Sequence, residues 1–530
     1  MSEVPPPETI GVVGAGTMGA GIAQLACVAG ARTLLHDPAA EALPRAAQSI
    51  RARLDRSVER GRLSAAEARQ AAERLIPAAD LAELAGAELV IEAAPESLEL
   101  NRSLFEALSQ LVAPECVLAT NTSSLLVTAV AAAASHPERV VGMHFFNPAP
   151  VMPLLEVVPG EQTGGRAIAL ARATGHAMGK QVIIATDGPG FLVNRCSRPF
   201  ALEALKLLQE GIAPAAEIDR ICRLAGGFRM GPFELMDLVG VDVGLDVSRS
   251  FYEQSFGEPR WRPSPIASRM VAAGRLGRKA GRGYYDYEHG PHRPDDPDPP
   301  APAGGDGLVV IAGDTVLADE LASAAAAAGW EVLTPAQSAG EVPFLVLDCT
   351  LGEEPEAPLQ GGPQAICCAS GSLAALDPGG VAAGFHALPP FEAASLVELT
   401  RGPDTAEAAA AATERFFASL GKHVAWVRDA PGLALGRIVC QVVNEAAFAL
   451  GEGVGSAEDI DSGMIGGLAY PRGPLRWADE IGLDHVLAVL EALSGERGEE
   501  RYRAAPALRH LVWSGRLGRQ TGEGFFGCEP

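Results

Sequence analysis

Gly14-Ala15-Gly16-Thr17-Met18-Gly19 has the spacing GxGxxG and stands between an apolar run, Ile10-Gly11-Val12-Val13, and an apolar helical stretch, Ala20 to Ala29. In the order strand, turn, helix, Gly14 permits the tight turn, Gly16 lets the backbone approach a pyrophosphate, and Gly19 lets helix pack on strand. The helix start, with Thr17 and Met18 in its first turn, offers free N–H groups to phosphates. A second apolar run, Thr33–His36, ends in Asp37, 21 residues after Gly16. A carboxylate there accepts hydrogen bonds from an adenosine ribose. No Arg follows it directly to receive a 2′-phosphate, so the pattern favours NAD over NADP. The competing reading is a glycine-rich packing turn with a surface Asp.

Three polar clusters accompany later apolar runs. Val117–Thr120 is followed by Asn121-Thr122-Ser123-Ser124, Val140–Met143 is followed by His144-Phe145-Phe146-Asn147-Pro148, and Glu156 interrupts Leu154-Leu155-Glu156-Val157. Ligands of open α/β sheets bind outside the carboxyl ends of the strands, where Ser123 and His144 are expected. Taken alone, a His after a strand is more often a structural residue than a base, and a Glu in an apolar run usually pairs with an Arg.

These residues need a scaffold. From Ile10 to about Ala185, short apolar runs, including Leu89–Ile91, alternate with Ala-rich helical stretches, the signature of a doubly wound parallel sheet. From Gly190 to about Leu276 the spacing is helical. A stretch rich in Pro, Asp and Gly, His289 to Gly305, reads as a stiff solvated linker. Beyond it the pattern repeats. His144 and His386, Glu156 and Glu398, Gly231 and Gly473, and Asp237 and Asp479 all stand 242 residues apart. The expected fold is α/β plus all-α: a Rossmann-type domain followed by a helical domain, the pair duplicated in tandem with the second Rossmann-like copy degenerate. The expected segments are 1–188, 189–288, the linker 289–305, 306–428 and 429–530.

The segments GAGTMGAGIAQ, NTSSL, HFFNPAPVMPLLEVV, DGPGFLVNR, MGPFELMDLVG and LGRKAGRGYYDY resemble, in family order across roughly residues 8–288, the L-3-hydroxyacyl-CoA dehydrogenases. The tandem unit resembles the longer bacterial members, which include 3-hydroxybutyryl-CoA and 3-hydroxyadipyl-CoA dehydrogenases. The resemblance implies NAD-dependent oxidation of a 3-hydroxyacyl-CoA. It makes His144 the general base on the 3-hydroxyl, since imidazoles titrate near neutral pH. It has Glu156 hold the other ring nitrogen, and Ser123 and Asn194 orient the reacting oxygen and the thioester region. It gives Glu96, Asn147 and Lys279 contacts to the cofactor, with the two domains closing around it. The family often carries Lys near the position of Asn101; here Arg102 is adjacent, and whether it substitutes stays open.

Arg45, Arg51, Arg53, Arg56, Arg60 and Arg62 crowd one stretch. Arg53, Arg56 and Arg60 share a helical face. The family places CoA contacts in a helical hairpin here, so Arg53 and Arg60 are candidates for its phosphates; a solvated helix face is the alternative. In the second half, Ile311-Ala312-Gly313-Asp314 keeps one fingerprint glycine, Gly371 replaces Ser123, Gly436 replaces Asn194, and Gln520 replaces Lys279. The fingerprint position of that half is expected to hold no nucleotide, with His386 and Glu398 surviving as a relic pair; the half is expected to supply a partner surface for a pseudo-dimer or, alternatively, to bind an acyl-CoA or a regulator.

The net charge of −24 excludes most nucleic-acid binders. Nine scattered cysteines with no zinc spacing read as reduced thiols of a cytoplasmic protein, with no metal site. Met1–Glu8 has no basic or apolar region of a signal peptide, and no apolar run is long enough to span a bilayer. The expected partners are an acyl-CoA substrate, neither nucleic acid nor membrane, and a second helical domain, met in a homodimer or an intrachain pseudo-dimer. Two other functions stay open: a free hydroxyacid or sugar-acid dehydrogenase on the same fold, and a non-catalytic NAD-binding protein.

Overall fold

The computed structural model describes residues 4–353, 359 and 361–527. Met1–Glu3 of the N-terminal stretch and Cys528 lie outside them. The chain forms two compact units, residues 1–195 with 453–468, and residues 196–452 with 469–530.

In the first unit, near-continuous apolar runs form strands buried on both faces. They are β1 (Thr9–Val13), β2 (Arg32–His36), β3 (Leu75–Ala78), β4 (Leu89–Glu92), β5 (Val117–Thr120), β6 (Val140–Phe145), β7 (Leu154–Pro159) and β8 (Gln181–Ile184). The sheet order is β3-β2-β1-β4-β5-β6-β7-β8. Neighbours are parallel except β6 and β7, which run antiparallel, a reversal the apolar pattern does not reveal. Helix Thr17–Val28 follows β1 and buries Ile22, Ala23 and Ala26 in one core with Val12, Leu35, Ile91 and Val141. Helix Ala457–Leu468, from far along the chain, completes the unit by packing on β7 and β8. Its glycines allow the close approach: a Cβ on Gly467 would stand 2.9 Å from Leu154 Cδ2.

The second unit holds a seven-stranded sheet. Its strands are β9 (Leu308–Ala312), β10 (Glu331–Leu333), β11 (Leu345–Asp348), β12 (Gln364–Cys367), β13 (Ala383–His386), β14 (Leu396–Arg401) and β15 (His423–Trp426). The order, β10-β9-β11-β12-β13-β14-β15, repeats the first sheet without a counterpart of β3. The β13–β14 pair repeats the antiparallel step. Helices Ala215–Leu224 and Leu435–Gly451 belong to the two helical copies, and Ala215–Leu224 packs on β14 as Ala457–Leu468 packs on β7.

At the centre of this unit Arg437 is fully buried. Its Nε donates to Glu203 Oε1 at 2.9 Å, its Nη1 donates to Glu210 at 2.8 Å, and Tyr502 donates to the same Glu203 oxygen at 3.1 Å. Residues 289–305 form no helix or strand, as expected, but they are not a free linker. Arg293 bonds Glu234 at 2.6 Å and Asp296 bonds Arg223 at 2.7 Å, so opposite charges on the helices pin the strap. The eight described cysteines are all buried.

Candidate active site

The glycine turn is built as its spacing requires. Gly14 adopts φ +102°, and a Cβ there would lie 2.5 Å from the Ala93 carbonyl, so only glycine fits. Gly16 differs: a Cβ on it would meet nothing within 4 Å. The helix Gly16 caps has no side-chain partner at its start, so its first N–H groups face open space with their partial positive charge. Thr17 and Met18 open that helix. Asp37 Oδ2 accepts the Ala15 N–H at 2.8 Å, which ties the acid at the end of β2 to the turn after β1. An unfilled space beside uncapped N–H groups and a carboxylate fits a dinucleotide such as NAD.

His144 and Glu156 are register partners across the β6–β7 ladder. His144 therefore lies within β6, not after it, because the strand runs two residues beyond Met143. The antiparallel step brings the two side chains together: His144 Nδ1 stands 2.6 Å from Glu156 Oε2, with both residues buried. Glu156 Oε1 accepts the N–H groups of Leu192 at 3.2 Å and Val193 at 2.9 Å. One carboxylate thus joins the imidazole to the start of the helix Val193–Glu210, whose first turn carries Asn194. The rings of Phe146 and Phe191 flank the imidazole at 4.5 Å and 5.8 Å. The strand pattern gives no hint of Phe191, which reaches its place through a left-handed backbone, φ +52°.

Glu96 organises the loop after β5. It accepts the Ser123 N–H at 2.6 Å, the Ser123 hydroxyl at 3.0 Å, the Thr122 hydroxyl at 2.8 Å and the Ser124 hydroxyl at 3.0 Å. Asn121 Oδ1 accepts the Phe145 N–H at 2.9 Å and ties this loop to the end of β6. Asn101 is buried and donates to Glu92 at 3.3 Å, so it turns inward, whereas the neighbouring Arg102 is exposed. Glu92, at the end of β4, also accepts from Thr120 Oγ1 at 2.6 Å. Burial raises its carboxyl to about 7. The sequence reading missed this residue, although a carboxylate closing an apolar run was the signal.

Asn147 is exposed just beyond β6. In the second unit Lys279 bonds Asp242 at 2.7 Å. The Arg-rich stretch forms helix Ala42–Glu59, with Leu43, Ala46, Ile50 and Leu54 buried on one face. On its other side Arg53 bonds only Ser49, and burial together with Arg56 lowers its pKa. Among the described residues, no carboxylate pairs with Arg53, Arg56 or Arg60.

The second copy is not a site of the same kind. Gly313 keeps the turn, with φ +104° and the same approach to a carbonyl, that of Cys349. Thr315 replaces Gly16, and its hydroxyl caps the following helix by accepting the Ala318 N–H at 3.2 Å, which fills the anion position from within. No helix lies between β10 and β11, so the Arg-rich hairpin has no counterpart there. The expected relic pair is corrected. His386 and Glu398 remain register partners, but Glu398 accepts only the Ala434 and Leu435 N–H groups, and His386 Nε2 turns to His485 Nε2 at 3.0 Å. Gly436 explains the swing: a Cβ there would lie 2.3 Å from His386 Cε1. Burial raises Glu398 to about 8 and lowers His386 well below the usual imidazole range, so both are neutral near pH 7.

Comparison with known proteins agrees with this architecture. The family described as 3-hydroxyacyl-CoA dehydrogenase, NAD binding domain, matches residues 9–188, and its C-terminal domain matches twice, at 190–287 and 432–527. A 3-hydroxyadipyl-CoA dehydrogenase of Escherichia coli (strain K12) is 37% identical over 502 residues, 95% of this chain and 97% of that protein. A probable 3-hydroxybutyryl-CoA dehydrogenase of Deinococcus radiodurans is 40% identical over 277 residues, 52% of this chain and 99% of that protein. The crystal structure of 3-hydroxybutyryl-CoA dehydrogenase from Escherichia coli K12 superposes with a TM-score of 0.81 at 36% identity, covering 96% of this chain and 99% of that one. With its nucleotide turn, its buried imidazole–carboxylate couple and two family domains that together span more than half its length, the chain belongs to the 3-hydroxyacyl-CoA dehydrogenase family.

Proposed function

We propose that this protein oxidises an (S)-3-hydroxyacyl-CoA, of the 3-hydroxybutyryl or 3-hydroxyadipyl kind, to the 3-oxoacyl-CoA. The observation that carries the reading is the 2.6 Å bond between His144 Nδ1 and Glu156. With Nδ1–H donated to a carboxylate, Nε2 is the basic nitrogen left to take the proton of the 3-hydroxyl. Glu156 stabilises the imidazolium that forms. Ser123 and Asn194 hold the oxygen from which the proton departs. NAD, when bound between the glycine turn, Asp37, Glu96 and Asn147, supplies the hydride acceptor. Phe146 and Phe191 keep water from the ring. Lys279 is assigned a cofactor contact by resemblance, and Arg53 and Arg60 the CoA phosphates by resemblance together with the lack of an acidic partner at either arginine.

The same reading gives the duplicated helices a task. Ala457–Leu468 on β7 and Ala215–Leu224 on β14 make a reciprocal arrangement that supports an intrachain pseudo-dimer. Among the described residues no helix is long and apolar enough to cross a membrane, and a cytoplasmic enzyme is the location proposed. The segments 1–188, 189–288, 289–305, 306–428 and 429–530 are the domains of this proposal.

An NADH-absorbance assay over 3-hydroxyacyl-CoA thioesters of different chain length, with and without a distal carboxylate, tests the reading. Turnover of free hydroxyacids but not of their thioesters would overturn it.

A further inference from the structure

The two copies contain the same hollow, and only one of them is lined by cations. In the second unit a cavity of about 540 Å³ opens where the ends of β14 and β15 meet the turn before helix Ala215–Leu224; Arg401, Trp426, Arg428, Gly211 and Ile212 line it. In the first unit a cavity of about 450 Å³ opens at the same place in the repeat. There Pro159, Ile184 and Thr186 stand where the other has Arg401, Trp426 and Arg428, each 242 residues away. The backbone is the same in both: Arg428 N–H donates to the Ile212 carbonyl at 2.9 Å, and Thr186 N–H to the Val454 carbonyl at 3.1 Å. The hollow is a product of the fold, but its two arginines and tryptophan belong to one copy.

In a chain with 66 acidic and 42 basic residues, an arginine readily finds a carboxylate. Among the described residues, neither the Arg401 nor the Arg428 guanidinium makes a hydrogen bond or an ion pair. The Arg401 guanidinium instead lies over the Trp426 ring, 5.4 Å from its centroid. Trp426 is 36% exposed, and its indole N–H is held by Glu414 at 3.3 Å, which fixes the ring plane. Gly211 leaves room for Arg428, whose Nη1 would stand 3.3 Å from a Cβ there. Two cations without partners beside a braced aromatic face suit a ligand that combines phosphate with a planar ring. Guanidinium forks grip phosphate, and bases stack on indole and guanidinium planes. The volume is within the range of small-ligand sites.

We propose that this cavity is a second ligand site of the protein, which binds a nucleoside phosphate. The base lies on Trp426 and the phosphate between Arg401 and Arg428. A free nucleotide and the head of a CoA share this chemistry, and the test separates them.

ADP, CoA and inorganic phosphate are titrated into the full-length protein at saturating NAD, with tryptophan fluorescence as the readout. ADP or CoA is expected to change the emission saturably, inorganic phosphate to compete without changing it, and Trp426→Phe to lose the signal. The double variant Arg401→Gln/Arg428→Gln is expected to weaken binding at least about tenfold, the scale of one lost charge-assisted pair. The tighter ligand of the two identifies the source. Dehydrogenase activity retained in all variants reports that they fold. A signal that persists in Trp426→Phe, no ligand-dependent signal in the parent, or equal affinity in the Arg401→Gln/Arg428→Gln protein would overturn the proposal.

Discussion

His386 faces Glu398 across the β13–β14 ladder at the register that His144 and Glu156 share across β6–β7, yet no hydrogen bond joins the second pair. What separates them is one side chain. Gly436 stands where the first copy has Asn194, and the imidazole swings into the space this leaves. A strand register can outlive the chemistry it once served.

Burial raises Glu398 to about 8 and Glu92 and Asp219 to about 7. A carboxyl whose folded pKa lies above its unfolded value contributes full stability below the ordinary carboxylate range, near 4. That contribution is lost as pH rises through the folded value. Thermal unfolding midpoints are therefore expected to fall between pH 5 and pH 9. Glu398→Gln removes the proton linkage at one site, so its midpoint should gain on the parent as pH rises. A gap that stays constant with pH would contradict the assignment.

Gly14 and Gly16 should part company under substitution. Gly14→Ala forces a Cβ into the Ala93 carbonyl at a left-handed backbone and should destabilise the fold by about 1–3 kcal/mol. Gly16→Val adds bulk only to open space, so melting should be unchanged while the NAD dissociation constant rises by on the order of tenfold or more. Calorimetric binding beside a thermal melt separates the two effects.

His144→Gln should lower kcat by about 10²- to 10⁴-fold, the usual worth of a positioned base, and leave NAD affinity unchanged. Glu156→Gln should lower kcat as well. It should also cost stability, because the same carboxylate accepts the N–H groups of Leu192 and Val193. Steady-state kinetics with a parallel melt would expose a purely structural His144, whose loss would spare kcat.

Arg437→Met leaves the buried Glu203 with only Arg501, at 3.4 Å, as a cation. The expected loss is about 3–5 kcal/mol, seen as a lower midpoint in denaturant. A double replacement, Arg437→Met with Glu203→Leu, should recover much of it.

The glycine turn, Asp37, the strand preceding Ser123 and the 242-residue repeat were all legible in the sequence, because spacing alone carries them. The His144–Glu156 contact was legible only through family resemblance, since a reversal of strand direction decides it and apolar runs do not encode direction. Phe191 and Glu96 owe their roles to backbone turns and loop hydrogen bonds that have no periodic signature. The pinned strap was misread for a related reason: its Asp and Arg residues look solvated until Arg223 and Glu234 are placed beside them.

Helix Ala457–Leu468 rests on β7 and β8 while belonging, by sequence, to the other end of the same polypeptide. Two-subunit enzymes come apart when diluted, and their specific activity falls with them. In the proposed intrachain pseudo-dimer the covering helix is tethered covalently to the sheet it shields, and that proposal expects turnover per molecule to hold constant on dilution.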